Sequence, residues 1–190
     1  MKIGLYFGSF NPIHTGHLII ANHVLNYSDL KKIWFVLSPQ NPLKQSSSLL
    51  NEYQRLHLVR LAVEESNQLA ASDVEFKLPR PSYTIDTLTY LKEKYPQHEF
   101  SIIMGSDSYQ NIHKWKNYEK IIAENQVIVY KRRGFEIIQN ISSVMILEDT
   151  PMIDISATYI RNLVKDRKSI KYLVPDNVMQ EIESAGYYRV

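Results

Sequence analysis

An α/β fold on a parallel sheet is what this chain predicts, and three features predict it. Short, almost continuously apolar runs recur along it, as expected of strands buried on both faces. Segments with apolar residues at helical spacing separate them. Strands spaced by helices in this way imply parallel pairing through right-handed crossovers. The length of 190 residues suits one domain with a core that needs no staples, and no repeat, low-complexity tract or linker divides it.

The elements follow in order. Ile3-Gly4-Leu5-Tyr6-Phe7 reads as a buried strand and leads into a helix marked by Leu18, Ala21 and Leu25. Lys32 to Leu37 is too continuously apolar for a one-sided sheet, and a polar loop follows in which Pro39 and Pro42 bar helix. Leu56, Val59 and Val63 mark one helix face. Asp73-Val74-Glu75-Phe76 alternates and predicts a weak edge strand. Ile85, Leu88 and Leu91 mark a further helix, with Ser82 or Thr84 as its cap. Phe100 to Met104, Val127 to Tyr130 and Val144 to Leu147 supply more buried strands. Ser156 can cap a helix over Ala157 to Val164, and Val178, Ile182 and Ala185 line a last helix that stops at Gly186. The sum is a Rossmann-like parallel sheet flanked by helices (about 1–150), with a short helical C-terminal segment (about 151–190).

Composition narrows the function. A formal charge of +2 with scattered Lys and Arg argues against a nucleic-acid surface. The absence of cysteine excludes disulfides, thiolate metal sites and cysteine nucleophiles. No apolar stretch reaches transmembrane length, and the N-terminus does not read as a secretory signal. The expectation is a cytoplasmic protein with neither nucleic acid nor membrane as partner; a homo-oligomer stays open.

The most informative segment is Gly8-Ser9-Phe10-Asn11-Pro12-Ile13-His14-Thr15-Gly16-His17, placed where the first strand turns into the first helix. In an open α/β sheet phosphates bind there, because free backbone N–H groups and the positive helix end converge. Glycine lets the backbone approach an anion, and histidines three apart can both reach it. The spacing is neither Gly-x-Gly-x-x-Gly nor a P-loop. Near the other end, Ile155-Ser156-Ala157-Thr158-Tyr159-Ile160-Arg161 places hydroxyls, free N–H groups and a guanidinium about one helical turn apart, able to act on one anion.

Both segments resemble the motifs of the HxGH nucleotidyltransferase superfamily, in the form carried by adenylyltransferases (G-[ST]-F-[DN]-P-[IV]-H-x-G-H and I-S-[SA]-T-x-[IL]-R). Three further stretches resemble bacterial nicotinate-nucleotide adenylyltransferases. Ser82-Tyr83-Thr84-Ile85-Asp86-Thr87-Leu88 is similar to S-Y-T-x-[DQ]-T-[LM], and Gly105-Ser106-Asp107 with His113-Lys114-Trp115 to G-x-D…[HK]-x-W. Pro39 to Lys44 is similar to P-x-x-x-P-H-K. Two positions depart from the pattern: Asn11 stands for the commoner aspartate, and Leu43 for the loop histidine. The resemblance covers nearly the whole chain.

The resemblance implies transfer of the adenylyl group of ATP to nicotinate mononucleotide, with release of pyrophosphate. The nucleophile is then an anionic phosphate oxygen, and no general base is required. His14, His17 and Arg161 become the catalytic residues. Gly8, Ser9, Phe10, Gly16, Gly105, Ile155, Ser156 and Thr158 join them around ATP. Lys44, Ser82, Tyr83, Thr84, Asp107 and Trp115 are assigned to the mononucleotide, Lys44 at its phosphate and Asp107 at a ribose. A tryptophan can stack on a cationic pyridinium. Mg²⁺ arrives with ATP, and no dedicated protein metal site is expected. Lys131-Arg132-Arg133 reads as a solvated turn. The rivals are an adenylyltransferase for nicotinamide mononucleotide or phosphopantetheine, and a nucleotide-binding regulatory module without turnover. A class I synthetase is not expected at this length.

Overall fold

The computed structural model describes residues 1–39, 49–137 and 143–189. Six parallel strands form the sheet: β1 (Lys2–Gly8), β2 (Lys32–Leu37), β3 (Leu69–Ser72), β4 (Glu99–Gly105), β5 (Val127–Tyr130) and β6 (Val144–Leu147). Their order is β3-β2-β1-β4-β5-β6, so the chain reverses its direction of travel across the sheet between β1 and β4. Tyr6 faces Phe35 of β2 on one side and Ile103 of β4 on the other. At such a reversal the two flanking loops part at the carboxyl ends of the strands and leave a crevice for ligands.

Two cores, one on each face, cover the sheet. Tyr6, Ile33, Phe35 and Ile128 join side chains of α1 (Thr15–Tyr27), α2 (Glu52–Val63), α6 (Ala157–Lys165) and α7 (Asp176–Ala185). Leu5, Ile102, Met104 and Val129 join α3 (Thr84–Lys94), α4 (Ser106–Tyr109) and α5 (Tyr118–Glu124). Burial on both faces explains why the central strands read as unbroken apolar runs rather than alternating ones. The C-terminal helices therefore pack on the sheet; Asn177 of α7 donates from Nδ2 to the Leu61 carbonyl of α2 at 2.8 Å. Ser156 caps α6 as expected, its Oγ accepting the Tyr159 N–H at 3.1 Å, and α7 ends at Gly186 in the left-handed region (φ 69°).

Two local expectations fail. The edge strand lies at Leu69–Ser72, and Val74–Lys77 forms a 3₁₀ turn instead of a strand. A strand would send neighbouring Val74 and Glu75 to opposite faces. Here both are buried, 5% and 2% exposed, on a turn rather than a pleat. Likewise neither Ser82 nor Thr84 caps α3. Tyr83 holds the N-cap position without a side-chain bond, because the Ser82 hydroxyl is committed to Glu75 and Thr84 lies inside the helix.

Candidate active site

Gly8 closes β1, and the chain then turns through Phe10, which adopts a left-handed backbone (φ 44°) rare for a bulky residue. Its ring, 3% exposed, wedges between Tyr6, Phe35 and His17, with centroids 6.0, 5.4 and 5.1 Å away. A side chain at Gly8 would meet that ring at 2.7 Å, so glycine is required for the close approach. Leu173 and Tyr172 then anchor the start of α1, their carbonyls accepting the Thr15 N–H at 2.9 Å and its hydroxyl at 3.3 Å.

His14 and His17 stack with ring centroids 3.7 Å apart. The His14 backbone N–H donates to His17 Nδ1 at 3.2 Å, which places the His17 ring proton on Nε2, free to act as a donor. His14 Nδ1 is buried and has no protein partner among the described residues. Gly16 lies under this pair; a Cβ there would stand 3.0 Å from His14 Nδ1 and 3.3 Å from the Ile153 side chain. Burial, then the charge of Arg132, lowers His14 to about 4. Burial, then His14 and Arg132, holds His17 well below its ordinary value. Both rings are thus neutral at physiological pH.

The distant motif converges on this turn. Arg161 donates from Nη1 to the Asn11 carbonyl at 2.8 Å and from Nη2 to Thr158 Oγ1 at 3.2 Å. Ile155 packs against the core beside them, and Ser156 and Thr158 remain exposed. Asn11 also accepts the Leu50 N–H on its side-chain oxygen at 3.2 Å, a contact that needs an acceptor but no charge.

Across the crevice, Gly105 ends β4 and Asp107 lies in the first turn of α4. Arg132 is no bystander in a solvated turn: its guanidinium pairs with Asp107 at 3.0 Å and its N–H donates to Ser106 Oγ at 2.9 Å. The other Asp107 oxygen, Oδ1, is buried without a partner among the described residues. A Cβ on Gly105 would meet Asp107 Oδ1 at 2.5 Å and Arg132 Cδ at 2.8 Å, so only glycine admits this pair.

Tyr83, Thr84 and Trp115 sit on the opposite face of the sheet from the histidine turn. Lys116 lies 4.9 Å above the Tyr83 ring and pairs with Asp86 at 2.9 Å, drawing the start of α3 and the Trp115 segment together. Ser82 is 7% exposed and its hydroxyl donates to Glu75, so it is not a free ligand donor. Lys44 lies outside the described residues. A cleft of about 640 Å³ lined by Lys165, Arg167, Glu183 and Arg189 holds none of the motif residues.

Sequence reasoning missed Arg55. It is fully buried, and its guanidinium donates to four backbone carbonyls: Leu50 at 2.7 Å, Ser9 at 2.6 Å, Ser38 at 3.1 Å and Pro39 at 2.9 Å. The available signal was a charge three and four residues before Leu58 and Val59, on the apolar face of a helix.

Fold, switch-point crevice and paired histidines together define a nucleotidyltransferase, and the comparisons agree. The cytidylyltransferase-like family model matches residues 5–163. Probable nicotinate-nucleotide adenylyltransferases from Flavobacterium psychrophilum and Cytophaga hutchinsonii are each 49% identical, over 100% of both chains and over 99% and 98% respectively. The chain belongs to the cytidylyltransferase-like family and, within it, to the nicotinate-nucleotide adenylyltransferases. Its fold is also that of Plasmodium falciparum nicotinic acid mononucleotide adenylyltransferase, solved in complex with NaAD, at a TM-score of 0.80 and 23% identity over 98% and 97% of the two chains.

Proposed function

We propose that this chain transfers the adenylyl group of ATP to nicotinate mononucleotide, giving nicotinate adenine dinucleotide and pyrophosphate in NAD biosynthesis in the cytoplasm. The observation that carries the reading is the stacked His14–His17 pair at the carboxyl end of β1 with Arg161 bound to the same turn. The attacking group, a phosphate monoester oxygen, is already anionic. What the site must supply is in-line placement and neutralisation of the charge that gathers on the α-phosphate.

His17 Nε2–H donates to an α-phosphate oxygen and His14 to the phosphate chain. Neutral imidazoles suit this role, since each can present an N–H without needing a proton from solvent. Arg161 has further donors beyond the two in use, and with Thr158 and Ser156 it holds the departing β- and γ-phosphates. ATP enters as its magnesium complex, a substrate whose metal keeps mostly water and phosphate ligands. Asp107 Oδ1, buried and unpartnered, is an acceptor that a ribose hydroxyl satisfies. Thr84 at the α3 N-terminus, with Tyr83 and Trp115, receives the pyridine ring, where free N–H groups favour a carboxylate. Lys44 is assigned to the mononucleotide phosphate.

The test is pyrophosphate release by the purified chain with Mg²⁺, ATP and either mononucleotide. A carboxamide would set its NH₂ against the helix donors, leaving buried groups unpaired. Selectivity for the acid of about 100-fold or more in kcat/KM is expected. Equal values would refute the pocket assignment, and no release with either would refute the reaction.

A further inference from the structure

Glu75 is a buried acid that the reaction above leaves without a task. It is 2% exposed on the 3₁₀ turn after β3, and among the described residues it makes no ion pair. Hydroxyls face it instead. Ser82 Oγ donates to Oε2 at 2.8 Å, Thr87 Oγ1 donates to Oε1 at 3.0 Å, and the Ser38 side chain at the end of β2 bonds to it as well. Ser82 and Thr87 are themselves 7% and 0% exposed. Burial pushes the carboxyl above its ordinary value, and these hydroxyls act in the opposite direction. A buried acid so placed is a poor choice for stability alone, since an apolar residue would avoid its desolvation.

The two α3 hydroxyls occupy telling positions. With Tyr83 as N-cap, Ser82 immediately precedes the cap and Thr87 is the fourth helical residue. These are the positions an apolar pair usually staples to fix the angle at which a chain enters a helix. Here one carboxylate bridges them. As an acceptor on both oxygens it makes each hydroxyl a donor, and at 3.0 Å it is a nearer acceptor for Thr87 Oγ1 than the Tyr83 carbonyl at 3.3 Å. It thereby fixes the direction of the first α3 N–H groups and the seat of Tyr83 beneath Lys116.

We infer that Glu75 is a positioning residue that sets the preference of the site for a ring bearing an anionic substituent, by bracing the start of α3 through Ser82 and Thr87. The inference rests on the assignment of the pyridine ring to that helix start.

Glu75→Gln tests it, because the amide is nearly isosteric but must donate on one side and so reverses one hydroxyl. With ATP saturating, KM for nicotinate mononucleotide should rise about tenfold, the worth of one charge-assisted hydrogen bond, and the acid-to-amide ratio of kcat/KM should fall with it. KM for ATP should stay within about twofold, since the histidine turn lies on the other face of the sheet. Ser82→Ala combined with Thr87→Val should move the ratio in the same direction, and serves if Glu75→Gln does not fold. A variant that melts lower yet keeps the wild-type ratio and KM makes Glu75 merely structural and overturns the inference. So does an equal loss for ATP and both mononucleotides. Equal use of the two mononucleotides by the unsubstituted chain overturns the ring assignment as well, whereas a wild-type preference that survives Glu75→Gln overturns this inference alone.

Discussion

Single side chains at the β1–α1 turn do their work through the partner that each already has. His17 spends Nδ1 on the backbone of His14, so its remaining proton has one direction to point. His17→Ala is expected to lower turnover by about 100-fold or more, the usual cost of losing one donor at developing charge, while circular dichroism stays near wild type. A folded variant with near-normal single-turnover chemistry would remove His17 from the mechanism. Arg161 binds both Asn11 and Thr158 with one planar fork. A lysine supplies a point charge and cannot hold both. Arg161→Lys should therefore raise KM for ATP about tenfold or more and leave KM for the mononucleotide nearly unchanged. If the melting temperature collapses and ATP affinity does not change, Arg161 serves the fold alone.

At the next level up, whole elements are registered against one another by buried charge. Arg55 ties α2 to the turn after β1 and to the end of β2 through carbonyls that no other donor is placed to satisfy among the described residues. Arg55→Met should destabilise the fold by about 2–4 kcal/mol in urea titrations, because those carbonyls lose their partners in a buried setting. Arg55→Lys, with fewer donors and no fork, should recover only part of that. Full recovery would show that charge rather than the fork matters. Arg55 was hard to see in advance because a helix arginine is ordinarily solvated, and its four carbonyls come from two separate connections, β1–α1 and β2–α2. Glu75 was misread for a related reason: Asp73–Phe76 alternates as a strand does, but the hydroxyls that allow Glu75 to be buried lie outside that segment, on Ser82 just before α3, on Thr87 within it and on Ser38 just after β2.

The molecule as a whole carries a pH dependence from the same turn. In the unfolded chain His14 titrates at 6.5, and in the folded one at about 4. Between those values the unfolded chain binds a proton that the folded chain refuses. The stability from a neutral, buried His14 is therefore complete above 6.5 and is lost as pH falls toward 4, by about 3 kcal/mol in all. His17, shifted the same way, adds to the slope. Glu75 opposes both, since a carboxyl raised by burial favours the fold below its ordinary 4.5 and loses that contribution as pH rises. Denaturant unfolding of wild type and His14→Asn across pH 4 to 7 separates these contributions; the variant should show the shallower loss toward acid. Parallel curves would place the His14 shift in doubt.

The chain also shows where local information stops. Strand runs, helix faces, the Ser156 cap and the Gly186 stop were legible because periodicity and turn chemistry are written within ten residues or so. The histidine turn and the Ser-x-Thr-x-x-Arg helix were legible for the same reason, and a parallel sheet followed from their alternation with helices. Contacts that join residues far apart were not legible. Arg161 meets Asn11 across 150 residues, Tyr6 and Tyr130 join hydroxyls at 2.9 Å behind the histidines, and Asp107 finds Arg132 in what had read as a basic surface turn. Ser82, expected at the ligand, turned inward to Glu75. A buried polar group is decided by the partner that satisfies it. Sheet order places the partners of Arg161 and Asp107 far along the chain, whereas Glu75 reaches Ser82, seven residues away, because the 3₁₀ turn buries it there.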